Sequence, residues 1–179
     1  MKLEGTFNNV LGFKDIFEGP GFQRLKNTIL TILIGQKDNL FDQSVGPDGE
    51  TWAPLSKRAI ANRNKKNAKV KNKTRQSDGH KILMDTGVLR NSLTNAGAPY
   101  SLAAISGNEI VVGTNVPYAA IQNFGGTIQN PGTENGFGIG IHIKPYTITI
   151  PARPFIGFGD SDEKEVGEAV EHYVNKESK

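Results

Sequence analysis

A strand pattern, a corner bounded by two prolines and a helical pattern follow one another late in this chain. Residues 147–150 read Thr-Ile-Thr-Ile, the alternation typical of a strand with one buried face. Pro151 cannot donate to a strand ladder, and Pro154 drives the residue before it into an extended conformation. Beyond the corner, acidic residues precede apolar residues at helical spacing, which predicts a helix with a favourable charge in its first turn. The strand should therefore end in a stiff corner that displays Arg153 and Phe155.

The rest of the chain has a long helical pattern near its start and short strand patterns in its second half. Apolar residues recur at mostly helical spacing over residues 21–42 and predict a long helix. Residues 109–113 read as a strand, and residues 117–126 read as a helical turn that begins with proline and ends with two glycines. Residues 127–129 begin a further strand. The predicted class is α+β, a small antiparallel sheet flanked by a long N-terminal helix and a C-terminal helix, with a long basic loop.

The length of 179 residues favours one domain spanning 1–179. Within it we distinguish an N-terminal arm over residues 1–20, a basic loop over 57–81 and a glycine-rich hairpin tip over 130–140. This tip is not a phosphate-binding loop, because no Gly-Lys-Ser or Gly-Lys-Thr follows its glycines.

Positive charge is concentrated in one segment. Residues 57–75 contain nine lysines and arginines and no acid, whereas the whole chain has a net charge of +3, so the remainder carries 3 − 9 = −6. Such a segment can be a solvated loop, can dock on an acidic protein surface or can contact nucleic acid. It has no aromatic residue with which to stack on single-stranded bases. We predict a short helix that runs into a loop.

The composition also limits the cellular compartment that we expect and the kinds of disulfide or metal site that the chain can form. The chain has no cysteine, which excludes disulfides and thiolate metal sites. The first residues lack a signal-peptide pattern, and the longest apolar run is too short to span a membrane. We therefore expect a soluble intracellular product.

Two motifs have a structural and a functional interpretation. Trp52 follows a Pro-Asp-Gly turn and is expected to anchor that turn in the core rather than to bind a partner. Asp85-Thr86-Gly87 is the triplet found in aspartic proteases, whose chemistry needs two such carboxylates. Because helical spacing follows it here, Asp85 or Thr86 is expected to cap a helix instead.

No constellation of catalytic residues emerges from the sequence. His80, His142 and His172 are far apart and show no metal-ligand spacing. No serine lies in a nucleophile-elbow motif. We predict a protein that is not an enzyme and binds no cofactor or metal.

The order of several short motifs resembles the phage virion morphogenesis family, the tail completion proteins of Mu-like and related tailed phages. The resemblance spans about residues 22–160 and rests on these motifs: Phe41, Pro47-Asp48-Gly49 with Trp52, Pro54 and Leu55, Ile82-Leu83 with Asp85-Thr86-Gly87 and Leu89, Val112-Gly113-Thr114-Asn115, Tyr118-Ala119, Phe124-Gly125-Gly126 and Pro151 to Gly157. The extended segment before Gly21 and the glycine-rich loop depart from the family pattern.

The resemblance implies a structural protein that acts late in tail assembly, at the head-proximal end where the tail joins the head. It implies a virion protein that is present in the host cytoplasm during assembly. The implied partners are further copies in a ring, of which a hexamer is one form, and tail-tube, tail-terminator or neck proteins. DNA in the channel is a further candidate partner, and no membrane is implied.

Specific residues receive roles from this reading. We expect Arg153 to bond to backbone carbonyls or a carboxylate and Phe155 to pack in the core. The candidate partner-binding residues are Lys65, Lys66, Lys69, Lys71, Lys73, Arg75 and Arg153, and the expected structural anchors are Trp52, Asp85, Gly87, Tyr118, Phe124, Pro154 and Phe155. The alternative function is a nucleic-acid-binding module that uses residues 57–75.

Overall fold

The computed structural model describes residues 19–69, 81–136 and 141–177. Its helices are α1 (Gly19–Gln43), α2 (Lys57–Lys69), α3 (Val88–Thr94), α4 (Ala119–Phe124) and α5 (Asp160–Glu177). Its strands are β1 (Ala104–Ser106), β2 (Glu109–Val111), β3 (Gly126–Asn130), β4 (Thr133–Gly136), β5 (Ile141–Ile143) and β6 (Tyr146–Ile150). The α+β class is as predicted, with a long helix near the start and another near the end.

The strands form three antiparallel two-stranded ribbons rather than one small sheet. β1 pairs with β2, β3 with β6, and β4 with β5. Two-stranded ribbons bury little surface by themselves, so helices must supply most of the core. α1 provides the framework, because α3, α5 and the β1–β2 ribbon all pack against it.

The core is small and is built around aromatic rings. Phe41 of α1 lies 5.4 Å from Trp52 in an edge-to-face arrangement and 5.9 Å from Phe155, centroid to centroid. Leu89 and Leu93 of α3 complete this cluster together with Val116 and Ala119. Such ring pairs add about 0.5–1.5 kcal/mol beyond the area that they bury. Residues from four separate parts of the chain therefore meet in one cluster.

The prediction that residues 147–150 have one buried face is wrong. In β6 only the last residue is partly buried, and β3 shows the same pattern. Ile148 lies directly opposite Ile128, so these two apolar side chains share one face of the ribbon, and each is more than 40% exposed. Alternation in the sequence reports an apolar face, but only the packing of other elements decides whether that face is covered.

The predicted short helix at the start of the basic segment is confirmed. Residues 57–69 form the 13-residue helix α2, so the segment designated the basic loop over 57–81 begins with a helix. Asparagine has a modest helix propensity, but the alanines, lysines and arginines at the other positions support the helix. The rest of the segment, residues 70–80, lies outside the described residues.

Two further predictions can be compared with the structure only over part of their residues, and a third is wrong. Residues 1–18 of the predicted arm lie outside the described residues, while Gly19 and Pro20 begin α1. The predicted glycine-rich tip contains β4, which pairs with β5, and residues 137–140 are not described. Neither Asp85 nor Thr86 caps α3; the cap is Gly87, in a left-handed conformation with φ of 75° and no side-chain hydrogen bond. Glycine adopts this conformation at little cost, which explains why it precedes the helix.

Candidate interaction surface

Hydrogen bonds from two other segments hold the corner at residues 151–158 in place. The Arg153 side chain donates from Nε to the carbonyl of Ala53 at 2.8 Å and from Nη2 to the carbonyl of Pro54 at 3.1 Å. Trp52 Nε1 donates to the carbonyl of Pro154 at 2.7 Å. Each segment therefore donates a side-chain hydrogen bond to a backbone carbonyl of the other. The contacts of Arg153 with backbone carbonyls are as expected.

Arg153, one of the candidate partner-binding residues, is buried in the protomer, with only 6% of the residue exposed. Burial lowers the pKa of Arg153 from its ordinary value, and repulsion from Arg63 adds to this effect. A buried guanidinium needs hydrogen-bond acceptors, and the carbonyls of residues 53 and 54 supply them. These two hydrogen bonds connect the corner to residues 53 and 54.

Asn123 in α4 fixes the other side of the corner, and the sequence analysis did not identify it. Its Oδ1 accepts hydrogen bonds from the backbone N–H of Phe155 at 2.9 Å and of Ile156 at 3.0 Å. The backbone N–H of Arg153 donates to the carbonyl of Gln122 at 2.9 Å. An asparagine in the last turn of a short helix has no pattern that reveals such a contact. It becomes visible only when the two segments are placed together.

The Pro47-Asp48-Gly49 turn packs against the end of the corner. A Cβ atom at Gly157 would lie 2.9 Å from Pro47 Cγ, and a Cβ at Gly159 would overlap the carbonyl oxygen of Pro47. Glycine is therefore required at these positions so that the two backbones can approach. The proline turn and the following Trp52 therefore both contact the corner and hold it against α1.

Lys37 of α1 connects the same region to α5. Its Nζ donates to the carbonyl of Gly157 at 2.7 Å and lies 3.2 Å from the nearer carboxylate oxygen of Asp162. The same carboxylate accepts a hydrogen bond from the N–H of Gly159 at 2.9 Å. Both charged side chains are buried. The sequence offered one signal for this pair, which is that Lys37 falls within the apolar spacing of α1.

An open groove of about 730 Å³ lies between α2 and the base of the β3–β6 ribbon. Its apolar wall includes Leu55, Leu83, Tyr118, Ile148 and Ile150. Tyr118 and Phe124, which we expected to be structural anchors, are 45% and 79% exposed. Tyr118 follows Pro117 and directly precedes α4, and Phe124 is the last residue of α4, before Gly125. The helix buries Ala119 and Asn123 instead. The Tyr118 side chain belongs to the groove wall, whereas Phe124 does not line the groove.

Asp85 attaches α2 to the turn before α3. Its carboxylate lies 2.9 Å from Lys66 Nζ and 3.7 Å from Arg63 Nε. Arg63 Nη1 also donates to the carbonyl of Lys81 at 2.6 Å. The aspartate of the Asp-Thr-Gly triplet is therefore occupied by ion pairs with the basic helix. Lys66, one of the candidate partner-binding residues, is drawn into this internal contact.

Other basic residues of α2 face solvent. Arg58, Lys65 and Lys69 are exposed, and their spacing of seven and four residues places them on one side of the helix. We call these three residues the basic stripe. Lys71, Lys73 and Arg75, the remaining candidates from the sequence, lie outside the described residues.

The part of the chain that the structure describes contains no group of three or more His, Asp or Glu side chains arranged to hold a metal ion. Among the same residues, no helix combines the length and the apolar character needed to cross a bilayer. The arrangement offers a rigid corner, an exposed apolar surface and a charged helix. These are features suited to protein contacts.

Comparisons with known proteins agree with the motif order. The model of the phage virion morphogenesis family matches residues 16–175. The chain is similar to the Mu-like prophage FluMu G protein 2 of Haemophilus influenzae, with 35% identity over 91 residues. That alignment covers 51% of this chain and 50% of the relative, so the chain spans about half the length of the curated protein that it matches. No solved structure matches the chain.

Proposed function

This chain belongs to the phage virion morphogenesis family, and from that premise we propose that it completes the phage tail at its head-proximal end. Family membership indicates a role in virion assembly. The finer role, helping to join the finished tail to the head, is our inference from the motif order and the exposed surfaces. We further propose that the protein acts without making or breaking a covalent bond, as a ring of copies in the neck of the virion.

The observation that carries this proposal is the apolar surface around the groove. Tyr118 and Ile148 line the groove and are exposed, although the adjoining corner is tightly bonded. Exposed apolar surface costs free energy in water, at about 25 cal/mol per Å². A rigid support beneath such a surface reduces the entropy that is lost when a partner binds. Both features favour a surface that is covered when the tail is complete.

The ribbon beside the groove supports the same interpretation. A two-stranded ribbon is marginally stable in water unless another element packs against it. The face that carries Ile128 and Ile148 is open in the protomer. A neighbouring virion protein or another copy would cover this face and stabilise the ribbon. The proposed partners are therefore other copies, together with tail-tube, tail-terminator or neck proteins.

A deletion and complementation experiment tests the proposal. A phage or prophage that lacks this gene should produce heads and tails that remain unjoined in electron micrographs, and the wild-type gene should restore joined particles. In the same assay, Tyr118→Ser should reduce the yield of joined particles, because it removes an exposed aromatic ring from the groove wall. Leu102→Ser is the matched control, since Leu102 is also exposed but lies outside the groove wall.

Normal joined particles in the absence of the gene would contradict the proposal. Equal losses with Tyr118→Ser and Leu102→Ser would show that the groove is not the surface that matters. Circular dichroism and a thermal melt of each purified variant would show whether the substitution changed the fold rather than the surface.

A nucleic-acid-binding module is the second candidate, and the exposed basic stripe of α2 is the observation that favours it. Binding through phosphates would weaken steeply as salt increases. Retention of the purified protein on double-stranded DNA with such a salt dependence would support this function. The described part of residues 57–81 offers no aromatic side chain for stacking, which argues against a single-strand binder. We favour a protein partner, because the exposed apolar residues of the groove wall suit a protein surface.

A further inference from the structure

Two helices of the protein carry large net charges of opposite sign. α2 contains six basic residues and no acid, a net charge of +6. α5 contains seven acids and two lysines, a net charge of −5. The protomer therefore has one strongly positive and one strongly negative helix.

The positive charge of α2 is only partly neutralised within the protomer. Arg63 and Lys66 reach Asp85, as described above. The basic stripe, Arg58, Lys65 and Lys69, faces solvent, and within the described ranges no acid lies within ion-pair distance of it. This stripe is available to a partner.

The negative charge of α5 is likewise exposed. Its apolar residues pack on α1, and Tyr173 is buried there. Asp160, Glu168 and Glu171 are exposed, and helical spacing places them on the side of α5 opposite Tyr173. We call these three residues the acidic face. The exposed Lys164 lies on the same side, so three acids and one lysine give it a net charge of 1 − 3 = −2. Among the residues that the structure covers, no lysine or arginine forms an ion pair with the acidic face.

We propose that the basic stripe of one copy docks on the acidic face of the next copy, so that protomers associate head to tail. The inference rests on the proposed function, in which copies form a ring, and it names the surfaces that would close that ring. Two different surfaces of one protomer are what a head-to-tail contact requires, whereas a two-fold dimer uses one self-complementary patch. The two helices supply such surfaces with opposite charge, three positive charges on the basic stripe and a net −2 on the side of α5 that carries the acidic face.

The charges are expected to guide and align the contact rather than to provide most of its affinity. A single exposed ion pair contributes about 0–1 kcal/mol. Complementary charged patches raise the association rate and exclude wrong registers. Association should therefore depend strongly on salt, because the Debye length falls from about 10 Å at 0.1 M to about 3 Å at 1 M.

The test uses the purified full-length chain and measures its mass distribution by analytical ultracentrifugation at low and high ionic strength. We expect assemblies larger than a dimer at low salt that dissociate at high salt. Lys65→Glu with Lys69→Glu, or Glu168→Lys with Glu171→Lys, should raise the self-association Kd at least about tenfold. For a matched control, Lys69→Glu alone is compared with Lys144→Glu, an exposed lysine between β5 and β6.

A charge exchange makes the test specific. When the two double variants are mixed, each offers the surface that the other has lost, so association should return in the mixture although neither variant associates alone. Combining all four substitutions in one chain should also restore self-association. Failure of both rescues would overturn the inference, as would a two-fold dimer that persists in every variant. Loss of DNA binding in the lysine variant with unchanged self-association would also overturn it in favour of nucleic acid.

These results can be separated from a failure of the proposed function. If the gene is required for joined particles but the charge exchange does not restore association, the function stands and this interface is wrong. If the charge exchange behaves as expected but particles assemble without the gene, the interface stands and the function is wrong.

Discussion

Lys37 and Asp162 form a buried ion pair that joins the long helix α1 to α5, with Nζ and the nearer carboxylate oxygen 3.2 Å apart. Each partner has a further hydrogen bond, Lys37 to the carbonyl of Gly157 and Asp162 to the N–H of Gly159. A buried ion pair offsets its desolvation only when such additional bonds satisfy both groups. The pair therefore connects two helices to the end of the corner rather than merely neutralising two charges.

Removing one member of this pair should be strongly destabilising. We expect Lys37→Met to lower the free energy of unfolding by about 3–5 kcal/mol, because Asp162 would remain as a buried charge without its cation. Lys37→Met combined with Asp162→Asn should cost less than the sum of the two single changes. Urea denaturation of the four proteins measures this. Additive effects would show that the two side chains do not depend on each other.

Arg153 should position the corner through its two carbonyl contacts. Arg153→Ala would leave the carbonyls of Ala53 and Pro54 without their donor, at about 1–3 kcal/mol for a buried unsatisfied group. We expect a lower melting temperature and fewer joined particles. Arg153→Lys keeps the charge but loses the forked donor geometry, so its loss should be intermediate. Unchanged folding and unchanged tail joining in Arg153→Ala would refute this role.

Asn123 allows an equivalent test with a close isostere. Asn123→Leu removes the oxygen that accepts hydrogen bonds from Phe155 and Ile156, and should lower the free energy of unfolding by about 1–3 kcal/mol. Asn123→Asp retains an acceptor at the same place and should be less damaging near neutral pH. The comparison uses chemical denaturation. Similar losses in both variants would mean that the backbone contacts do not account for the effect.

Two glycines near each other in sequence should respond in opposite ways to the same substitution. Gly159→Ala places a methyl group against the Pro47 carbonyl and should destabilise the protein by about 1–3 kcal/mol, as overpacking does. Gly167→Ala lies within α5 where nothing is within 4 Å, and should stabilise it by about 0.5–1 kcal/mol. Thermal melts compare them directly. A tolerated Gly159→Ala would contradict the close approach of the two backbones.

Acid should weaken the contact between α1 and α3. Arg90 lies 2.9 Å from Asp42 and 2.6 Å from Asp38, and its hydrogen bond lowers the pKa of Asp42 below the ordinary value of 3.8. The folded state therefore favours the charged carboxylate, so this contribution is present above pH 3.8 and is lost as the pH falls through the lower folded-state value. Asp42→Asn should make stability less dependent on pH in this acidic range. An unchanged pH profile would exclude Asp42 as a contributor.

The sequence was sufficient to predict the class of fold and several elements within it. The long helix, the helix after the corner and the short helix before Gly125 each lie close to the predicted residues, because helical periodicity and glycine or proline boundaries are local properties. The order of the motifs also indicated the family. These inferences depend on residues that are near one another in the chain.

Only the tertiary structure decided which surfaces are covered and which polar side chains meet. The alternating pattern of β6 predicted a buried face, yet Ile148 is exposed, because no periodicity records what packs against a strand. Asp85 looked like a helix cap but pairs with Lys66, and Asn123 had no signal at all. Such contacts join residues that are far apart in sequence, so their existence depends on the folded arrangement rather than on local propensity.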